Sequence, residues 1–387
     1  MQKTKKIESC LCCGGKIQEV VDYGEMPLAN NYSVKEKFPL KVMVCDTCHH
    51  LQLSESVDPE ILFSDYPYLS GTSKTSLDFF EEFADTTLRY FPEAKNIFDI
   101  ACNDGSQLDA YKKRGLNTNG VDPAKNLYLI SKAKGHNIVC NILENIKDEV
   151  KFDILTAQNV LAHTSTPFEF LVKCKELMHK KSYLFICTSQ ADMVINGEYD
   201  TLYHEHISYF NTLSMKKLVE RAGLVLTDVF KVTMHGTSYV FVIKTQPEVN
   251  PVSVQLDSEY KAGLQENDTY SKWKLISAEK IKRKHNEIEQ YRKEGYMIIG
   301  CGAAAKGITF LNMSGTKMDC IVDTTPTKWY GEVASSPIYP FEYLRQVTCD
   351  KVLFIILAWN FEDEITENIL KFRNNENDKI ITTYSKT

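Results

Sequence analysis

Short, continuous apolar runs alternate along this chain with segments in which apolar residues recur at helical spacing. Leu77, Phe80, Phe83, Ala84 and Leu88 mark one helical face between Ser76 and Tyr90. The run 97 to 101 predicts a buried strand, followed by the turn CNDG and a helix beginning near Ser106. TNGVDP reads as a second strand ending at Asp122, Phe152 to Ala157 as a third, and YLFICTSQ as a fourth. LSMKKLVERAGLVLTDVFKV gives a helix stopped at Gly223 and a strand, and MHGTSYVFVI gives another strand. After the charged helical segment SAEKIKRKHNEIEQYRKEG, the plan repeats in YMIIGCGAAAKGITFLNMSG, CIVDTTPTKWYG and VLFIILAWN. Such alternation predicts an α/β protein built on parallel sheets. Three domains are expected, at 1–75, 76–250 and 251–387.

The two strand–turn–helix units suit different ligands. In the first, the turn runs through Ala101, Asn103, Asp104 and Gly105, with Asp99 in the strand before it and Asp122 ending the next strand. Small turn residues let a cofactor approach the backbone, and a carboxylate at Asp122 suits ribose hydroxyls. The turn has one glycine where a dinucleotide fingerprint has three, and its carboxylates repel a pyrophosphate while favouring a cation. S-adenosylmethionine carries a sulfonium and an ammonium, so it fits better than a nicotinamide dinucleotide. Gln158, Asn159 and His163 follow the third strand, and the carboxyl ends of parallel strands face the same crevice. In the second unit, Gly300, Gly302 and the alanines suit phosphate at a helix N-terminus, and Lys306 adds charge. Asn360 ends a later strand there.

Cysteine spacing changes the picture of the N-terminus. Cys10-x2-Cys13 and Cys45-x2-Cys48 form two knuckles, and four thiolates make the closed tetrahedral set of a structural zinc site. Cys12 and His49 fit the paired spacing less well. The segments GEMPLANNY and YPYLSGTSKTS read as loops, with Tyr66 and Tyr68 as candidate pocket residues. His235 and Ser238, at the start of a strand, are candidate substrate contacts.

Composition narrows the class further. A net charge of -6 argues against a general nucleic-acid binder, and no apolar run approaches the roughly 20 residues needed to cross a bilayer. Twelve cysteines without a secretory leader suggest reduced thiols or metal ligands, and hence a cytoplasmic protein. The expectation is a monomer acting on a small molecule.

One stretch, DTLYHEHISYF (200–210), resists assignment from spacing alone. His204 and His206 are two apart, whereas a helical zinc-protease pair is four apart. In a strand they would share a face and Glu205 would point away. A metal site, an acid/base site and a packed aromatic cluster all remain open at this point.

Taken in order, the paired cysteines, PLAN, CNDG, GVDPAKN, QNVLAH, YHEHISYF, MHGTS, GCGAAAKG and LAWN resemble the sugar C-methyltransferases that act on nucleotide-linked 4-keto-6-deoxyhexoses. The resemblance covers nearly the whole chain. It departs at Cys102, where a serine is usual, and at Thr237, where a glycine is usual. It implies a zinc-binding N-terminal domain, a central S-adenosylmethionine domain and a C-terminal Rossmann-like domain that helps hold the nucleotide sugar. It also implies methylation at carbon 3, or less often carbon 5. Carbon methylation needs a carbanion-like nucleophile, which a neighbouring ketone makes accessible to a base. By resemblance His206 is that base, with Tyr203 and Glu205 beside it and His204 on the substrate side. A sugar O- or N-methyltransferase, or a nucleotide-sugar-binding protein without catalysis, is the competing reading.

Overall fold

The computed structural model describes residues 3–30, 36–63, 69–147, 150–188, 192–234, 236–247 and 252–384. Two compact units emerge, and both are discontinuous in sequence. The first comprises Met1–Val20, Val42–Asp192 and Glu205–Tyr270; the second comprises Val21–Lys41, Met193–His204 and Ser271–Thr387.

The first unit is organised by a seven-stranded sheet. Its spatial order is Val225–Val232, Ser238–Lys244, Met178–Thr188, Phe152–Gln158, Asn96–Ile100, Asn117–Val121, Asn137–Val139. The five strands from Met178–Thr188 to Asn137–Val139 run parallel, and the final hairpin is antiparallel. Central parallel strands are covered on both faces, which is why Ile97, Ile100, Ile154, Leu155, Leu184 and Ile186 read as unbroken apolar runs and are all buried. Helix Lys74–Tyr90 starts where the Ser73 hydroxyl accepts from the Ser76 N–H, and it buries Phe79, Phe80, Phe83 and Ala84 along one stripe. Strand order reverses between Asn96–Ile100 and Phe152–Gln158. A crevice opens at the carboxyl ends of strands flanking such a reversal.

A small antiparallel set of strands carries the cysteine knuckles in this unit. Leu51–Leu53 pairs with Val42–Val44 on one side and with Ser208–Tyr209 on the other. Cys10, Cys45 and Cys48 are buried in the same apolar cluster as Phe210, Met215 and Leu218.

The second unit holds a six-stranded sheet in the order Glu332–Val333, Ser336–Tyr339, Cys320–Val322, Met297–Cys301, Val352–Ile356, Lys379–Thr382. All its pairs but the first are parallel, and the order reverses between Met297–Cys301 and Val352–Ile356. Helix Ala305–Ser314 packs against this sheet through Gly307, where an added Cβ would lie 2.3 Å from the Cβ of Leu357 and 2.8 Å from its Cα. Only glycine permits that approach of helix to strand. Among the described residues no helix is long and apolar enough to cross a membrane.

Gly307→Ala is therefore expected to overpack the second unit and lower stability by about 1–3 kcal/mol. Urea unfolding followed by fluorescence should show a lower midpoint with an unchanged slope.

Candidate active site and zinc knuckle

Backbone turns aim the four thiols at one point. Gly14 N–H donates to Cys10 O at 2.8 Å and His49 N–H to Cys45 O at 3.0 Å, closing the two knuckles. The N–H groups of Gly15 and Thr47 donate to the sulfurs of Cys13 and Cys45 at 3.4 and 3.3 Å. Cys10 and Cys48 sulfurs are 3.6 Å apart, those of Cys13 and Cys45 are 3.4 Å apart, and all four lie within 4.8 Å of one another. A tetrahedron with zinc–sulfur bonds of about 2.3 Å has edges of about 3.8 Å, so the set fits zinc. Crowding splits the thiols: hydrogen bonds from Cys12 and Cys48 hold Cys10 well below the ordinary thiol range, while the Cys10 thiolate pushes Cys48 up. A dication would let all four ionise together. Cys12 lies outside the cluster with its thiol pushed up by burial, and the His49 ring stacks on Tyr270 at 6.3 Å.

At the first sheet's reversal the turn predicted from CNDG is present, with Ala101, Asn103 and Gly105 all at positive φ. At Gly105 a Cβ would also meet His136 Cδ2 at 2.8 Å. Asp122 clamps this turn: one carboxylate oxygen accepts from Asn103 N–H at 2.8 Å and the other from Ala124 N–H at 2.9 Å. Asp104 accepts from the N–H groups of Gly71 and Ser106, and the Asn103 side chain accepts from Ser70, so residues 70–72 sit over the turn.

Asp99 behaves differently from its neighbours. Its Oδ1 accepts from Thr156 Oγ1 at 2.7 Å and Gln107 Nε2 at 3.0 Å, and burial pushes its carboxyl up to about 7. Gln158 donates to Gln107 and extends this network. Burial also raises Asp122, against the lowering effect of its two backbone donors. Asp104 and Asp122 thus meet backbone donors, whereas Asp99 is held by side chains. Thr156 and Gln107 were not legible as site residues; the only trace was a hydroxyl inside an apolar strand.

Asn159, at φ 53°, ends the next strand with its N–H on Cys187 O at 2.9 Å and its buried side-chain oxygen without a partner. That orphan acceptor, the Asp122 clamp and the positive-φ turn fit an amine- and ribose-bearing cofactor such as S-adenosylmethionine.

Next along the chain, backbone groups of Asn159 and Glu205 hydrogen-bond the ring of His163, and burial drives its pKa down to about 4. The rings of His163 and His206 are 4.9 Å apart at an interplanar angle of 68°. His206 also meets Tyr209 edge-on at 6.3 Å. His204 and Glu205 lie in a turn and the following strand begins only at Ser208, so the strand geometry considered for this stretch does not arise. Glu205 and His206 are almost wholly buried.

The second unit repeats the clamp. Gly302, at φ 84°, donates to Val322 O at 2.8 Å, as Cys102 donates to Val121 O at 3.1 Å in the first unit. Asp323 accepts from Ala303 N–H at 2.6 Å and Thr325 N–H at 2.7 Å, with Lys328 Nζ a further 3.3 Å neighbour. Lys306, in the first turn of helix Ala305–Ser314, lies 3.8 Å from an Asp200 oxygen and 4.6 Å from the centroid of the Trp359 ring. Trp359 donates to the same oxygen at 2.5 Å. Asn360 sits beside Trp359 in the short 3-10 turn Trp359–Phe361. Asp200 and Trp359 were missed at the sequence level, although each lies inside a quoted motif.

Other candidates are placed as follows. His204 is buried in the second unit with Nε2 3.1 Å from Phe38 O, and burial lowers its pKa. Tyr203 lines a small cavity there together with Leu40 and Thr309. Ser238 donates to Met234 O at 2.8 Å, which ties down the start of its strand. Tyr66, Tyr68 and His235 lie outside the described residues.

Comparison with known proteins gives three family models in succession. A putative zinc binding domain matches residues 10–63, a methyltransferase domain 77–229, and a C-methyltransferase C-terminal domain 233–383. The chain is 26% identical to the C-methyltransferase NovU of Streptomyces niveus, covering 96% of this chain and 94% of that protein. It is 25% identical to a ubiquinone biosynthesis O-methyltransferase of Coxiella burnetii (strain Dugway 5J108-111), over 41% of this chain and 75% of that protein. A solved S-adenosylmethionine-dependent methyltransferase from Clostridium acetobutylicum ATCC 824 aligns with 49% of this chain and 96% of its own, at 12% identity and a TM-score of 0.38.

Two outcomes are expected. Cys48→Ser should lose zinc and unfold at lower temperature, because the knuckle then lacks a thiolate; elemental analysis and calorimetry read both effects. For Asp99, a carboxyl raised in the folded state contributes stability that is present below its unfolded value near 3.9 and lost as pH rises through about 7. Asp99→Asn, which keeps an acceptor for Thr156 and Gln107, should therefore gain thermal stability relative to the unaltered protein as pH is raised from 5 to 8.

Proposed function

We infer, for a chain that belongs to the C-methyltransferase family, that it methylates carbon 3 of a nucleotide-linked 4-keto-6-deoxyhexose, with His206 as the base that forms the enolate. The observation that carries this reading is the His163–His206 pair, whose rings are 4.9 Å apart in the same unit as the Asp122 clamp. A base next to a carbonyl-activated C–H must be able to gain a proton without a competing charge beside it. His163, driven down to about 4 by burial, stays neutral at pH 7 and so adds no positive charge beside His206.

Each remaining group has a task. The turn 101–105, Asp122, Gln158 and Asn159 hold the methyl donor; S-adenosylmethionine, when bound, supplies an electrophilic methyl on a sulfonium. Residues 70–72, closed over the turn by Asn103 and Asp104, keep water from that donor. Tyr203 and Glu205, which flank the base in sequence, complete the proposed catalytic set. In the second unit, the start of helix Ala305–Ser314 meets the diphosphate through backbone N–H groups, and Gly302, with no side chain, leaves room for it. Lys306 shares its charge with Asp200, so it and Asn360 act on the nucleotide sugar as hydrogen-bonding groups. The four cysteines hold zinc in a closed set, so the metal has no open position for substrate.

Solvent exchange separates this reading from O-methylation, which needs no adjacent ketone. In D2O the protein should wash deuterium into carbon 3 of a dTDP-, GDP- or CDP-linked 4-keto-6-deoxysugar. His206→Ala should slow that exchange by about 10²- to 10⁴-fold while S-adenosylhomocysteine still binds. Absence of both exchange and methyl transfer across the three nucleotide series would overturn the assignment.

A further inference from the structure

The residue after His206 has both backbone groups fixed. Ile207 N–H donates to Ala162 O at 2.7 Å, and Ile207 O accepts from Leu53 N–H at 2.9 Å. Ala162 is the neighbour of His163, so one bond ties the two histidine segments together. The other bond ties His206 to the strand Leu51–Leu53, whose residues Gln52 and Leu51 also pair with Ser208 and Tyr209.

That strand belongs to the cysteine knuckle. It begins three residues after Cys48, and Cys45 N–H donates to His50 O at 3.0 Å. Gln52 reaches the other knuckle, accepting from Leu11 N–H at 2.9 Å and donating to Ser9 O at 3.2 Å, on either side of Cys10. A side-chain bond joins the knuckle to the strand that follows His206: His50 Nε2 and Ser208 Oγ are 3.2 Å apart, and both residues are fully buried. His50 Nδ1 has no partner. A buried bare lone pair costs less than a buried unpaired N–H, so the proton belongs on Nε2, which donates to Ser208.

We propose that His50 and Ser208 are positioning residues for His206, through which the four-cysteine knuckle fixes the imidazole against His163. The proposal rests on the reading of His206 as the base. The zinc then acts at a distance: it anchors the strand that sets where the proton-accepting nitrogen stands. Misplacement of a catalytic group by about 1 Å costs on the order of 100-fold in rate.

The test compares Ser208→Ala and His50→Leu with the conservative variants Ser208→Thr and His50→Gln, in full-length zinc-loaded protein. Histidine ring carbons are labelled and followed by NMR, with the His206 signal assigned by its loss in His206→Gln. Deuterium wash-in, zinc content and S-adenosylhomocysteine affinity are measured alongside. Both removal variants should keep zinc and donor affinity within about two-fold, yet shift the His206 signal and its titration and slow wash-in about 100-fold at saturating sugar. The conservative variants should recover both. If a removal variant loses zinc, the other carries the comparison. Loss of zinc in both, or an unmoved His206 signal with unchanged exchange, overturns the proposal. Should the unaltered protein show no exchange at all, the base assignment fails while the NMR shift still decides whether His50 and Ser208 position His206.

Discussion

Everything near the proposed chemistry hangs on a carboxylate that closes a turn between two parallel strands. Asp122 takes one backbone N–H from the turn and another from the residue two places beyond itself, and Asp323 does the same in the second unit. A turn held at both ends keeps its positive-φ residues in place without help from a ligand. This matters because left-handed backbone at Ala101, Asn103 and Asn159 is costly for residues with side chains and persists only where surroundings over-determine it. The two units thus share one local design. The second clamp has a further partner in Lys328, 3.3 Å from Asp323.

Around the first clamp, burial does most of the electrostatic work. It neutralises His163 and raises Asp99, so groups that look charged in sequence are largely uncharged at the site. Backbone donors meet the carboxylates of Asp104 and Asp122 instead. The cradle proposed for the methyl donor is thus lined by carboxylates held by main chain, not by mobile side chains. Such preorganisation is how a site favours charge without paying to reorient groups during reaction.

Much of this was readable in advance, for physical reasons that can be named. Paired cysteines report a shared point because a C-x2-C turn leaves its two sulfurs few directions, and the four sulfurs do converge. Buried parallel strands announce themselves as apolar runs, and the first strand was expected at 97–101 where it runs Asn96–Ile100. The stretch around His206 was less legible. Spacing alone could not show that Tyr203–Glu205 is irregular, because an irregular turn is set by the strands it joins, not by its own residues. The bonds of Thr156 to Asp99 and Gln107 and the His50–Ser208 bond were invisible for a related reason: partners 49 to 158 residues apart leave no local pattern. Asp200 escaped notice inside a motif dominated by histidines, although it is among the most buried carboxylates of the second unit.

The interleaving of the two units bears on how the chain is made. The second unit needs Val21–Lys41 and Met193–His204 as well as Ser271–Thr387. During synthesis its earlier pieces must wait, unfinished, until the last strands Val352–Ile356 and Lys379–Thr382 have emerged. Buried groups such as Leu40 and Leu202 have no completed core during that interval. Cutting the gene at the sequence boundary near residue 250 would therefore strand two segments of the later unit on the earlier fragment. Folding of the second unit is tied to the emergence of its later strands, and a fragment ending near residue 250 would carry apolar groups of that unit without their core.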